Sequence, residues 1–115
     1  MAVKELKPVK AAVNALTKIE LEAATSASDG FVFKLPRVSD EYVVVIIENT
    51  DTATKTVSIK APADGSYAAV SSDLTESLAA GEKRIFRLES ARYANRDGSV
   101  KIVPAATTVK VAVLY

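Results

Sequence analysis

No histidine, cysteine or tryptophan occurs in the 115 residues, and these absences exclude a good deal of chemistry. Without histidine the commonest general base and metal ligand is missing. Without cysteine there is no thiol nucleophile, no thiolate zinc site and no disulfide framework. Aromatics are 6% of the chain, and no indole is present as a platform for a sugar. The longest uninterrupted apolar run, residues 43–47, falls far short of the roughly 20 residues that a membrane-spanning helix needs. No sign of charge dominates: 15 basic and 14 acidic residues leave a formal charge of +1. They are spread without blocks, so there is neither the basic stripe of a nucleic-acid binder nor a polybasic membrane patch. Residues 1–5 do not open a secretory signal, and synthesis in the cytoplasm is the expectation.

What is present is small and β-branched. Ala (19) and Val (15) supply most of the 49% hydrophobic content, a composition suited to tightly packed strands rather than to a deep ligand pocket. Apolar residues alternate with polar ones at period two through most of the chain after residue 16, as in residues 56–61 and 109–113. Asp29-Gly30, Asp64-Gly65, Ala80-Gly81 and Asp97-Gly98 punctuate the pattern with turns. Residues 18–23 read as a half-buried strand with Ile19, Leu21 and Ala23 inward, and 31–35 alternate again before Pro36. Residues 42–47 are apolar on both faces and belong in the middle of a covered sheet. Asn49 to Thr52 has turn chemistry and predicts a hairpin into the 56–61 strand. The pattern blurs over 67–72. Residues 73–78 read as an edge strand, where Glu76 on the apolar face discourages aggregation, with a helical turn as the alternative, and 82–89 as a strand with Phe86 and Leu88 on one face. Two further strands, 99–103 and 108–114, complete the chain. Seven to nine such strands predict a single antiparallel, immunoglobulin-like β-sandwich over 16–115.

Residues 1–15 differ from the rest. Val3, Leu6, Val9, Val13 and Leu16 recur at three- and four-residue steps, but Pro8 weakens any helix through them. An extended arm is expected, with a short helix over 9–16 as the alternative. Its apolar residues have two destinations, another surface or an uncovered sheet edge of the same domain.

Candidate catalytic groups are weak. Glu20 and Glu22 share a strand face, yet that face is the solvated one of an amphipathic strand. Asn95 and Asp97 open like a calcium loop without its later ligands. Ser71-Ser72-Asp73 has no base to activate a serine, and no glycine-rich phosphate loop exists. The expectation is a protein without catalytic residues, cofactor or metal. Arg84, Arg87, Arg92 and Arg96 fall within thirteen residues. They are either surface charge paired with Glu82 and Glu89 or arginines of a protein interface.

From residue 41 onward, the order of a buried run, an Asn-Thr turn, TKTVSIKA, DLTESLAAGEKRIFRLES, ARYAN, VKI and TVKVAVLY resembles the small β-sandwich decoration (cement) proteins on capsids of tailed bacteriophages. The similarity extends over residues 16–115. Glu76, where an apolar residue is expected, and residues 65–72 depart from it. The resemblance implies a virion protein on the capsid exterior, bound to the major capsid protein and to neighbouring copies of itself, with no nucleic-acid or membrane partner. The candidate contacts are Val3, Leu6 and Val9 of the arm, with Arg92 and Arg96 in a loop. The alternatives are an immunoglobulin-like adhesion module and a carbohydrate-binding module, for which Tyr42, Tyr67, Tyr93 and Tyr115 are the available aromatics.

Overall fold

Alternation at period two becomes nine short strands in the computed structural model, which describes residues 3–38, 42–64 and 72–115. They are β1 (Lys4–Glu5), β2 (Glu22–Ala23), β3 (Phe31–Lys34), β4 (Val44–Asn49), β5 (Lys55–Ile59), β6 (Leu74–Leu78), β7 (Lys83–Phe86), β8 (Ser99–Pro104) and β9 (Val109–Leu114). One helical turn, α1 (Ser90–Tyr93), separates β7 from β8. A five-stranded sheet has the order β1-β3-β8-β5-β6 and a four-stranded sheet the order β2-β9-β4-β7. The predicted β-sandwich is therefore present.

Its strand order, which periodicity does not reveal, is that of a jelly roll rather than of an immunoglobulin domain. β2 pairs with β9, β3 with β8, β4 with β7 and β5 with β6, all antiparallel. This is one long hairpin in which the first half of the chain lies against the second. Ladders β4–β9 and β5–β8 then roll it into two layers. Inward positions alternate as the pattern requires. Phe31 and Phe33 register with Ile102 and Val100 in one sheet, and Val45 registers with Val113 in the other. All six are essentially buried. Aliphatic and phenyl surface removed from water between the layers is the main stabilising term.

Several expectations need correction. The turn after β4 does not make a hairpin, because β4 and β5 lie in different sheets. Asn49, fully buried, directs the crossing. Its Nδ2 donates to the carbonyls of Ala53 (2.9 Å), Leu78 (3.0 Å) and Ala79 (3.2 Å). Its Oδ1 accepts the Asp51 amide at 3.0 Å. One side chain thus ties the end of β4 to the crossing loop and to the β6–β7 turn. β4 is interior to its sheet as predicted, but Val44 and Ile46 on its outer face are only half-buried. Only the last two residues of the predicted 18–23 strand pair, because Val9 and Ala11 hold the same side of β9 further along. Val9 N donates to the Val113 carbonyl (2.9 Å) and Ala11 N to that of Tyr115 (2.6 Å). The strand begun at residue 82 ends at Phe86 and gives way to α1, where Phe86 meets Tyr93 edge to face at 5.7 Å.

The Asp29-Gly30 turn is where glycine is required. Gly30 has φ +64°, and a Cβ would stand 2.3 Å from the Ile102 carbonyl oxygen. The blurred stretch over 67–72 lies, apart from Ser72, outside the described residues.

The N-terminal segment resolves in favour of its own domain. β1 adds to β3 in parallel, with Lys4 opposite Phe31, and Leu6 N donates to the Val32 carbonyl at 2.8 Å. The Leu6 side chain is buried in the core cluster. From there the chain changes sheets and Val9 bridges Leu114 in parallel.

Candidate interaction surface

Three places on the surface carry what the sequence singled out. The first is the N-terminal segment. Leu6 cannot reach a partner, since it is a core residue. Val9 is half-buried, with its backbone committed to β9. Val3 remains open at 40% exposure. The most exposed apolar side chains lie further on, in a loop that leaves the sandwich after Ala11 and returns near Ile19. Val13 is 87% exposed and Leu16 fully so. The loop has a defined shape. Asn14 takes the left-handed conformation (φ 57°) that asparagine tolerates, and the Ala12 amide donates to Thr17 Oγ1 at 3.1 Å. Val13 and Leu16 belonged to the three- and four-residue spacing visible in the sequence. What spacing could not reveal is that the shared stripe splits, Leu6 going to the core and Val13 and Leu16 to solvent.

The second place holds the arginines. Arg92 is exposed on α1 and pairs with Glu89 at 3.6 Å. Arg96 is exposed at the following turn and makes no ion pair among the described residues. At that turn Asn95 Oδ1 accepts the amides of Ala63 (2.8 Å) and Asp64 (3.3 Å). Asp64 Oδ1 in turn accepts the Arg96 amide at 2.7 Å. Arg92 and Arg96 therefore share one end of the sandwich with Ala63 and Asp64. They lie four residues apart, on separate short elements.

The third place is the open side of the sandwich, between edge strands β6 and β7. Glu76 registers with inward-facing Val57 and Arg84 with inward-facing Ile47. Their side chains meet across the mouth at 2.8 Å, and Arg84 also reaches Glu82 at 3.2 Å. The edge-strand role foreseen for Glu76 thus comes with a partner from the opposite sheet. A small apolar cleft of about 60 Å³, open to solvent, lies beneath the pair and is floored by Val57, Ile59, Leu78 and Phe86. Both charges are about half exposed, so the pair is screened and contributes little to stability.

Four carboxylates are held below their ordinary range by donors close in sequence or across a loop. The Thr52 amide does this for Asp51, the Ala61 amide for Asp73, the Ala79 amide for Glu82 and the Ser99 hydroxyl for Asp97. A carboxylate lowered in the folded state stabilises it at pH above its unfolded value, and that contribution is lost as pH falls through the folded value. The melting temperature is therefore expected to be flat near neutrality and to drop below about pH 4–5, where carboxyls protonate. Asp73→Asn should make that acid slope shallower in scanning calorimetry, and an unchanged slope would remove Asp73 from the effect.

Among the described residues no three His, Cys, Asp or Glu side chains are grouped to hold a metal ion. No helix among them is long and apolar enough to cross a membrane. No protein-family model, curated protein or solved structure matches the chain.

Proposed function

We propose that this chain is a non-catalytic structural protein that binds the outer surface of a phage capsid and stabilises it. The observation that carries the reading is the loop bearing Val13 and Leu16, two bare apolar side chains on a defined backbone. Burying each against a partner is worth roughly 1.5–3 kcal/mol before the cost of association. Many copies on one shell let such modest contacts add. The loop replaces Leu6 and Val9 as the anchor, with Val3, Arg92 and Arg96 as subsidiary contacts. Jelly rolls occur in viral shell proteins as well as in lectins, and this likeness is one of architecture alone.

The carbohydrate-binding alternative draws less support. Tyr93 and Tyr115 pack against the core, and Tyr42 is exposed without a described aromatic neighbour. Tyr67 lies outside the described residues.

Co-sedimentation with expanded heads, assembled from the major capsid protein of the same genome, tests the reading. Saturable recovery in the pellet, together with heads that resist heat better, is the expected result. A chain that stays in the supernatant at every concentration overturns it, and a glycan array that retains the chain would favour the alternative.

A further inference from the structure

We infer that copies of this chain join head to tail through the two edges of the four-stranded sheet, the 18–23 segment of one copy adding as a strand to β7 of the next. β2 and β7 are those two edges. Each ladder in the sheet is antiparallel, so across four strands β7 runs opposite to β2. A second copy displaced sideways therefore offers its β2 antiparallel to β7, with the same face outward. The sheet continues without any reversal.

Among the described residues β7 pairs with β4 alone. Asn49 N donates to the Glu82 carbonyl at 2.9 Å, and antiparallel bonding alternates along a strand. Arg84 and Phe86 thus direct their backbone groups to β4, while Lys83 and Ile85 direct theirs to the open edge. No described strand pairs there. Ile85 is 71% exposed on the outer face.

The opposite edge carries a strand-like alternation that is paired only at its end. Ile19, Leu21 and Ala23 alternate with Glu20 and Glu22, yet only Glu22 and Ala23 pair within the protomer. Ala23 registers with Lys110, and Lys110 with Glu48, as does Lys83. The alternation thus carries Leu21 to the outer face, the one on which Ile85 stands. Placing Ile85 opposite Leu21 in antiparallel register sets Arg84 opposite Glu22 and Lys83 opposite Ala23. Apolar meets apolar on one face and cation meets carboxylate on the other.

Like edges do not join. Two β7 edges that paired Ile85 with Ile85 would set Lys83 opposite Arg87, and two 18–23 segments that paired Leu21 with Leu21 would set Glu20 opposite Glu22. The charges thus select the heterologous contact, which closes as a ring or runs on as a filament. The inference needs only the two edges of this chain and stands apart from the capsid reading.

Sedimentation velocity over a concentration series tests it, using the wild type, Ile85→Lys and the Glu20→Lys/Glu22→Lys double variant. All the changed side chains are exposed, and circular dichroism verifies that each variant folds. The wild type is expected to form species larger than the monomer, in proportions that grow with concentration and shrink with added salt. Each variant alone should associate at least about tenfold more weakly. An equimolar mixture of the two should yield a 1:1 dimer and nothing larger, because each variant keeps one intact edge. A wild type that stays monomeric throughout, variants that associate like the wild type, or a mixture that restores no dimer would each overturn the inference.

Discussion

Leu6→Ala is expected to destabilise the folded chain by about 2–5 kcal/mol, the range for truncating a buried leucine whose site collapses only in part. For a domain whose total stability is on the order of 5–15 kcal/mol, that is a severe loss. The reason lies in the path of residues 3–11. β1 extends the five-stranded sheet beside β3, Leu6 enters the core, and Val9 and Ala11 close the edge of β9. The segment is sandwich, not appendage. Urea denaturation of Leu6→Ala beside the exposed control Val3→Ala separates the two roles. A cost at Leu6 no larger than that at Val3 would mean that the segment is dispensable to the fold.

Asn49→Asp should cost about 3–5 kcal/mol at neutral pH, although the side chain hardly changes shape. It replaces an amide donor that faces three carbonyl oxygens with a buried anion that meets those oxygens and has no cation beside it, only the Asp51 amide. Asn49→Ala leaves the carbonyls without their donor but brings no charge, and should cost about 1–3 kcal/mol. The two variants also differ in pH dependence. The introduced carboxyl has its pKa raised in the folded state, so its penalty grows as pH rises past the unfolded value of about 3.9 and fades below it. The gap between Asp and Ala variants, measured by denaturant titration, should therefore narrow toward pH 4. A gap that is constant with pH would show that residue 49 is not shielded from water.

How far the sequence foretold this can be seen in particular residues. Alternation located the cores of β3 to β9, since Phe31, Val45, Val57, Ile102 and Val111 each point inward, as their parity demands. It also placed β6 at an edge, where Glu76 is tolerated because it reaches water and Arg84. Alternation describes one strand at a time, however, and says nothing of which strand lies beside which. The crossing at Asn49 looked like a hairpin because its turn chemistry is the same in both cases. Only the carbonyls of Leu78 and Ala79, 29 and 30 residues away, distinguish the two. Residues 18–21 failed to pair for a similar reason: Val9 and Ala11 had taken their place. Of the candidate contacts, Val3, Arg92 and Arg96 are exposed, whereas Leu6 and Val9 are committed to the fold. Val13 and Leu16 were visible as apolar residues but not as exposed ones.

The central claim is that this domain acts through adhesion, with the 12–17 loop as its anchor. Val13→Asp combined with Leu16→Asp removes the two apolar contacts at positions that touch little else. The most direct measurement is the affinity of this double variant for expanded heads relative to the wild type, read beside its melting temperature. The account predicts binding weakened by about a hundredfold, for a loss of roughly 3 kcal/mol of contact energy, with a melting temperature that does not move. Undiminished binding by a correctly folded double variant would contradict it.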